Sequence, residues 1–177
     1  MGAVKVPAVR RLHAVAESEL TQLVNVLLDC VEGGASVSYM LPLERELAHS
    51  FWSNVARGVA SGERALLVAE DALGICGTAQ LILAQPPNQP HRADVSKVLV
   101  HRRARRRGLG AALMRAVEVT ARECGKDLLV LDTVTGGDAQ RMYERLGWMK
   151  VGDIPRYALM PTGEPCSTTY YYRDLRE

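Results

Sequence analysis

Apolar residues recur along this chain at two different spacings, and each spacing predicts one kind of element. Spacings of three and four predict amphipathic helices over 17–31, 43–60, 109–121 and 138–146. Alternating or short apolar runs predict strands over 8–15, 64–70 and 74–84, another that ends at Val100, and one over 127–133. After the last helix, apolar stretches at 148–151 and 157–160 bracket a long segment, and a final strand is expected over 168–173.

The order of these elements is strand, two helices, three strands, helix, strand, helix and two strands. This order predicts an α/β fold with a mixed sheet, antiparallel where short turns join strands and parallel across helical crossovers. Ser18 is a candidate N-cap of the first helix, and the Gly33-Gly34 pair is expected to end it. Because the 177 residues contain no internal repeat and no linker, a single domain over 1–177 is expected.

The composition is that of an ordinary globular protein, with 47% hydrophobic and 24% charged residues. The four cysteines form no C-x-x-C pair, which favours reduced thiols over disulfide bonds. The four histidines lack the spacing of metal ligands, so no metal is expected. No apolar run approaches the length that spans a membrane, and the N-terminus lacks the apolar segment of a secretory signal. These features predict a cytoplasmic protein without a membrane partner.

The net charge of +2 is unevenly distributed, because six arginines fall between Arg92 and Arg107. The last three lie in a basic loop, Arg105-Arg106-Arg107-Gly108-Leu109-Gly110, between the strand that ends at Val100 and the next helix. Such a loop can bind phosphate, since the N–H groups of the first helical turn are free and the helix dipole favours an anion. Its two glycines have no Cβ, so they let the backbone come close to the phosphate. Two alternatives stay open here: an ordinary turn with a solvated basic face, and a nucleic-acid patch, against which the lack of interleaved aromatic residues argues.

The basic loop and a second motif resemble the GNAT acetyltransferase family, over nearly the whole chain. The signature Q/R-x-x-G-x-G/A matches Arg105, Gly108 and Gly110, and the pattern A-x-x-x-Y-x-x-x-G-F/W matches Ala139, Tyr143, Gly147 and Trp148. The resemblance implies a GNAT fold with a central splayed strand pair, acetyl-CoA as the cofactor, and direct transfer of acetyl to an amine. Arg102 stands where the family often has proline, and Arg106 where it often has glycine, which implies a more basic pyrophosphate site. Gly136 stands where the family often has asparagine, which leaves one pantetheine contact open.

The resemblance also implies which residues bind the cofactor and which carry the chemistry. The cofactor-binding candidates are Val98, Leu99, Val100, Arg105, Arg106, Arg107, Gly108, Leu109, Gly110, Ala111, Ala112, Thr133, Asp138 and Arg141. Asp94 and Asp132 match two acids that orient or deprotonate the amine, and Tyr143 matches the acid that protonates the departing thiolate. Backbone N–H groups near Leu99 and Val100 would polarise the thioester carbonyl. The candidates for binding the acceptor are Glu32, Gly34, Ala35, Ser36, Asp94 and Asp132.

These residues also have purely structural interpretations. Asp94 could be a surface charge paired with Arg92, Asp132 a strand-end residue that caps local backbone, and Tyr143 a core residue with its hydroxyl at the surface. The Tyr170-Tyr171-Tyr172 run either alternates between core and surface on an edge strand or forms part of a homodimer contact.

Further stretches, at 33–37, 92–97, 131–133 and 161–165, resemble family members that inactivate amine-bearing antibiotics, the kasugamycin and tabtoxin-resistance acetyltransferases. The resemblance implies an enzyme that acetylates an amino group of a small antibiotic. A kasugamycin-like aminoglycoside is favoured because the candidate pocket residues include several acids. The alternatives are acetylation of a protein N-terminus, a lysine or a polyamine, and a non-catalytic acyl-CoA sensor, against which Tyr143 and the two strand-end acids argue.

Overall fold

The computed structural model describes residues 8–176, and the elements follow the predicted order. The strands are β1 (Ala8–Leu12), β2 (Arg64–Asp71), β3 (Gly74–Ile82), β4 (Arg92–Val100), β5 (Leu128–Val134), β6 (Met149–Leu159) and β7 (Pro165–Asp174). The helices are α1 (Glu17–Glu32), α2 (Arg45–Ala60), α3 (Leu109–Glu123) and α4 (Asp138–Arg145), and a 3₁₀ turn at Arg102–Ala104 follows β4. The predicted element types are therefore confirmed, with bounds that differ by a few residues.

The strands form one sheet in the order β1-β2-β3-β4-β5-β7-β6. Neighbouring strands are antiparallel except β4 and β5, which run parallel across the α3 crossover. The parallel register is short, because only 92–94 of β4 pair with 128–130 of β5. The predicted mixed sheet with a splayed central pair is confirmed.

Two helical layers cover the two faces of the sheet, and each face has its own core. Helices α1 and α2 pack on one face around Trp52 and Leu66, and α3 and α4 pack on the other around Leu113 and Tyr171. All four of these side chains are fully buried. Burying a large apolar side chain contributes roughly 1.5–3 kcal/mol, so these cores fix the sheet on which the candidate site lies.

Two local predictions are wrong. Helix α1 begins after Ala16 and not at a Ser18 cap, because a Glu19 carboxylate oxygen accepts the Ala16 N–H at 2.8 Å and closes the first turn. Strand β6 runs without interruption through Pro155, where two separate apolar stretches were expected. Pro155 is tolerated because β6 is the edge strand and residues 155–157 lie in an irregularity of the β6–β7 register, so the missing N–H leaves no ladder bond unmade.

The three consecutive tyrosines lie on β7, which is an interior strand between β5 and β6, so the expected edge position is wrong. Tyr171 is fully buried, and its hydroxyl donates to Glu144 at 2.7 Å. Tyr170 and Tyr172 are both more exposed, so the run alternates between core and surface. The homodimer contact stays a prediction. Among the described helices, none is long and apolar enough to cross a membrane.

Candidate active site

The candidate site begins where β4 and β5 stop pairing. Asp94 is the last β4 residue in register with β5, opposite Val130. Beyond this point β4 pairs only with β3, so the edge of β4 that faces β5 has no strand partner. Val98, Leu99 and Val100, the β4 residues assigned to the cofactor, lie along this edge. Peptide groups on an unpaired edge can form hydrogen bonds to a ligand.

The basic loop follows β4 and leads directly into α3. Gly108 is the N-cap of α3 with φ 74°, a left-handed conformation that favours glycine. Among the described residues, no acceptor binds the backbone N–H groups of Gly108, Leu109, Gly110 or Ala111, whereas Ala112 donates to the Gly108 carbonyl. We call these four N–H groups the α3 cradle; they lie at the positive end of the helix dipole and can hold an anion.

Two arginines near the loop have structural partners. Arg102 donates to Asp29 of α1 through its backbone N–H and its Nε, each at 2.8 Å, and its guanidinium contacts Glu32 at 3.3 Å. Arg103 donates to Asp71 through two guanidinium nitrogens, Nε at 3.0 Å and Nη2 at 3.3 Å. Arg102, which departs from the family pattern, therefore anchors the loop to α1.

The three arginines inside the loop are exposed. Arg105 donates through Nε to the Val100 carbonyl at 3.0 Å, which ties the loop to the end of β4. No described residue forms a hydrogen bond or ion pair with the guanidinium of Arg106 or Arg107, so both cations are available to an anion. Arg106 has φ 61°, a left-handed conformation, which explains why a glycine suits this position.

The two loop glycines have different roles, although the sequence suggested that both let phosphate approach the backbone. A Cβ added at Gly110 would lie 2.8 Å from Sδ of Met142 on α4, whereas one added at Gly108 would meet nothing within 4 Å. Gly110 therefore leaves room for the Met142 side chain where α3 packs against α4, whereas Gly108 suits its left-handed backbone.

A cavity of about 350 Å³ lies at the opening between β4 and β5. Its lining residues are Ile82, Arg92, Asp94, Val95, Ser96, Val130, Leu131, Asp132 and Tyr170. The two acids that the sequence assigned to the acceptor amine therefore share one cavity.

The two acids differ in how far their charges are already neutralised. Asp94 forms an ion pair with Arg92, as its structural interpretation proposed, and accepts a hydrogen bond from Nε2 of Gln85 at 3.2 Å. Asp132 accepts a hydrogen bond from Oγ1 of Thr168 at 2.8 Å and has no cationic partner within 4.0 Å among the described residues. Asp132 is thus the carboxylate that remains free to bind a cation.

Tyr143 lies on α4, in the core on the α3–α4 face of the sheet. Its buried ring packs against Trp148 and Tyr171, with ring centres 6.0 and 6.2 Å away. Burial raises the pKa of the Tyr143 hydroxyl, and the nearby charge of Asp132 raises it further. The hydroxyl therefore keeps its proton at neutral pH and can donate it to a developing anion.

The remaining cofactor candidates lie at the end of β5 and the start of α4. Asp138 and Arg141 form an ion pair with each other, and Arg141 also donates to the Gly136 carbonyl at 3.2 Å. The Thr133 carbonyl accepts a hydrogen bond from Thr168 at 2.9 Å.

Because β4 and β5 are parallel, their carboxyl ends lie at the same edge of the sheet, which is the edge that carries the α3 cradle.

The candidates on the α1–α2 connection do not line the cavity. Glu32 contacts the arginine that anchors the basic loop, and Gly34 ends α1 with φ 90°. Ala35 packs against the α1–α2 core, and Oγ of Ser36 donates to the Leu159 carbonyl at 2.9 Å. Ser36 therefore packs this connection against the end of β6.

Sequence reasoning assigned no role to several residues near the acids. Tyr170 is in register with Asp132, and its hydroxyl forms a hydrogen bond with that of Tyr157 at 2.9 Å. The tyrosine run marked Tyr170 but not its position beside Asp132, because the β5–β7 pairing joins distant parts of the chain. Lys97 did carry a signal, since it is the one charged residue between Val95 and Val100.

Comparison with known proteins agrees with the geometry of the loop. The Acetyltransferase (GNAT) family model matches residues 30–148. An uncharacterized N-acetyltransferase in the hisH-hisA intergenic region of Azospirillum brasilense is 32% identical over 126 residues, which cover 70% of this chain and 73% of that protein. The chain belongs to the GNAT acetyltransferase family.

Solved structures share the fold of this GNAT chain. A GCN5-related N-acetyltransferase from Kribbella flavida has a TM-score of 0.76 at 25% identity, covering 95% of this chain and 98% of that chain. The acetyltransferase yncA from Salmonella typhimurium, solved with its cofactor acetyl-CoA, has a TM-score of 0.77 at 18% identity, covering 98% and 96%. In that structure the shared fold holds acetyl-CoA.

The residues of this GNAT chain fit acetyl-CoA. The free N–H groups of the α3 cradle would hold the pyrophosphate, and Arg106 and Arg107 would neutralise its charge. The unpaired edge of β4 near Leu99 and Val100 would receive the pantetheine arm and the thioester. Across the described chain, no three histidine, cysteine, aspartate or glutamate side chains are grouped to hold a metal ion.

Proposed function

We propose that this GNAT acetyltransferase transfers the acetyl group of acetyl-CoA directly to an amino group of a small molecule, within a ternary complex. The cavity at the β4–β5 opening carries the proposal, because Asp94 and Asp132 both line it, on parallel strands whose carboxyl ends lie at the edge of the sheet that carries the α3 cradle. Carboxylates bind a cationic amine, and the cradle binds phosphate. The two chemistries that acetyl transfer needs therefore meet at one opening.

Acetyl transfer requires a neutral amine, because a protonated nitrogen has no lone pair. Asp132 receives the ammonium group and accepts its proton at a carboxylate oxygen, directly or through a water. Asp94 is already held by Arg92 and Gln85, so it orients the amine. The structural difference between the two acids thus divides the two tasks between them.

Bound acetyl-CoA supplies the acetyl group as a thioester. Backbone N–H groups near Leu99 and Val100 polarise the carbonyl oxygen, since this edge of β4 has no strand partner. Tyr143 holds a proton at its hydroxyl and gives it to the leaving sulfur as the C–S bond breaks. This proton balances the one that the amine loses to Asp132.

The favoured acceptor is an amino group of an aminoglycoside antibiotic such as kasugamycin, with tabtoxinine-β-lactam as the second choice, and acetylation would confer resistance. The carboxylates of Asp94 and Asp132 suit a cationic amine, and a cavity of about 350 Å³ suits a small ligand. The stretches 92–97 and 131–133, which resemble antibiotic acetyltransferases, contribute residues to its walls.

Kinetics of matched variants test these assignments, with thiol release from acetyl-CoA as the readout and kasugamycin or tabtoxinine-β-lactam as acceptor. Asp132→Asn is expected to lower kcat by roughly 100-fold or more, because general base catalysis contributes about 10²–10⁴-fold. Asp94→Asn is expected to raise KM more than it lowers kcat. Tyr143→Phe is expected to lower kcat with little change in coenzyme affinity. Equal losses of kcat in the two asparagine variants would contradict the division of roles, and an unchanged kcat in Tyr143→Phe would remove it as the acid.

A further inference from the structure

Lys97 has an unusual position in β4. The register between β3 and β4 shifts between Thr78 and Gln80, so that β4 contains an extra residue, a β-bulge. Lys97 lies in this bulge with φ 50°, a left-handed conformation that lysine rarely adopts. Such backbone strain persists only where the surrounding structure imposes it, and it is concentrated at functional sites.

The bulge turns the Lys97 side chain toward α2. Val95 packs in the α3–α4 core, and a regular strand would place Lys97 on the same face two residues later. Instead, Nζ of Lys97 lies 5.4 Å from the centre of the Phe51 ring on α2 and donates to Oγ of Ser38 at 3.2 Å. The side chain therefore lies on the face opposite the α3–α4 core.

The Lys97 ammonium group has no anionic partner in the described part of the chain. Its hydrogen-bond partner is the neutral Ser38 hydroxyl, and no described carboxylate lies within 4.0 Å of Nζ. Burial lowers the pKa of Lys97, and attraction to the nearby Asp132 offsets part of that change. The half-buried ammonium group of Lys97 contacts a hydroxyl and an aromatic ring but no carboxylate, so it is available to an anion that comes from a ligand.

A second donor group lies on the same side of the sheet. Gln80, on β3 in register with Ser96 of the cavity, is fully buried, and its Nε2 has no partner among the described residues. Its Oε1 accepts a hydrogen bond from Arg64 at 2.8 Å. Donors thus collect on the β3 side of the site, while the carboxylates of Asp94 and Asp132 line the opening toward β5.

We propose that Lys97 binds an anionic group of the acceptor, which makes the acceptor a zwitterion with a carboxylate or comparable anion near the amine. This inference rests on the proposed function and names the substrate class of the same site. The acceptor amine lies at Asp132 and its anion at Lys97. Asp132 follows Leu131 of the α3–α4 core along β5, so its side chain lies on the same face of the sheet as that of Lys97. The amine and the anion of the acceptor are therefore bound on one face of the sheet. A polyamine does not meet this requirement.

The first test compares acceptors with and without the anion, at a pH high enough that the amine is largely neutral in both. Thiol release from acetyl-CoA is measured with the common L-amino acids and with the carboxamide of each, and with kasugamycin and tabtoxinine-β-lactam. The accepted amines are expected to carry an anion, and amidation is expected to lower kcat/KM by about 10- to 100-fold, the range of one hydrogen bond to a charged group. Carboxamides that react as well as their parent acids would overturn the inference.

The second test removes the cation. Lys97→Met keeps the length of the side chain without its charge, and it is expected to lower the ratio of kcat/KM between an acid and its carboxamide by about 10- to 100-fold. Lys97→Arg is expected to recover part of that ratio. Lys150→Met is the matched control, because Lys150 is an exposed lysine on β6 that pairs with Asp153. Equal losses for the acid and the carboxamide would contradict anion binding.

Thermal denaturation separates this inference from the proposed function. An anionic acceptor of the same panel is expected to raise the Tm of the wild-type protein and not that of Lys97→Met. If it does so without any thiol release, the anion site stands and the proposed function fails. If amines are acetylated but no anion raises the Tm through Lys97, the function stands and the anion site is refuted.

Discussion

Replacing Gly110 with alanine tests why the basic loop needs its second glycine. The added Cβ would lie 2.8 Å from Sδ and 3.6 Å from Cε of Met142, closer than such atoms pack. Since methionine is flexible, we expect a strain of roughly 1–2 kcal/mol rather than loss of the fold. The better helix propensity of alanine offsets up to about 1 kcal/mol. The free energy of unfolding is therefore expected to fall by about 1 kcal/mol.

The same substitution is expected to have the opposite effect once Met142 is shortened. In the Met142→Ala background the clash is absent, so Gly110→Ala should raise the free energy of unfolding by up to about 1 kcal/mol. Urea unfolding of the wild type, both single variants and the double variant gives the coupling free energy, which should be about 1–2 kcal/mol. A coupling near zero would refute the packing argument.

Calorimetric titration of coenzyme A into the same four proteins separates packing from phosphate contact. If Gly110 serves the α3–α4 packing, the coenzyme affinity lost in Gly110→Ala returns in the double variant. If it serves the approach of the phosphate, the affinity is lost in both backgrounds. The second outcome would restore the role that the sequence suggested for this glycine.

Two further predictions concern the loop and its anchor. Arg106→Gly relieves left-handed strain of about 1–2 kcal/mol, but the added glycine raises the entropy of the unfolded chain, which costs about 0.5–1 kcal/mol. Urea unfolding should therefore show a free energy of unfolding that is higher by up to about 1 kcal/mol. Coenzyme A should bind more weakly. An unchanged Kd for coenzyme A would exclude a phosphate contact of Arg106. Burial raises the pKa of Asp29, but hydrogen bonds from Arg102 outweigh it and the pKa lies below its usual 3.8, so Asp29 stabilises the fold above that pH. His101 lies 3.3 Å from Asp29, so the stability difference between wild type and Asp29→Asn should be constant only at pH values where His101 is neutral. It should shrink once the pH falls below 3.8 and through the lowered pKa; a difference that persists at lower pH would contradict this.

The meeting of Asp94 and Asp132 could be predicted from sequence because both lie on strands of a parallel pair. Apolar spacing is a local property, so it identified these strands and the helix between them. The α3 cradle could be predicted for the same reason, since the strand, the glycine and the helix are consecutive in the chain.

Other features of the site depend on contacts between distant segments. Lys97 faces α2 because of a bulge in the β3–β4 register, and a register is not visible in one strand alone. The partner of Gly110 is Met142 on another helix. Ser36 meets the end of β6 because that strand continues through Pro155, whereas the sequence indicated an acceptor-lining role for the α1–α2 connection. Arg102 was expected to strengthen the hold on phosphate, and its partner Asp29 lies on α1.

The central claim is that the β4–β5 opening joins a coenzyme cradle to an amine-binding pair of acids. The most direct measurement is thiol release from acetyl-CoA with kasugamycin, tabtoxinine-β-lactam, common aminoglycosides, polyamines and peptides as acceptors, with the product confirmed by mass spectrometry. We expect at least one small amine to accelerate thiol release and to gain one acetyl group, and this acceleration to be lost in Asp132→Asn while coenzyme A still binds. If no amine accelerates thiol release, although coenzyme A binds, the chain is not an N-acetyltransferase of these amines and the claim is wrong.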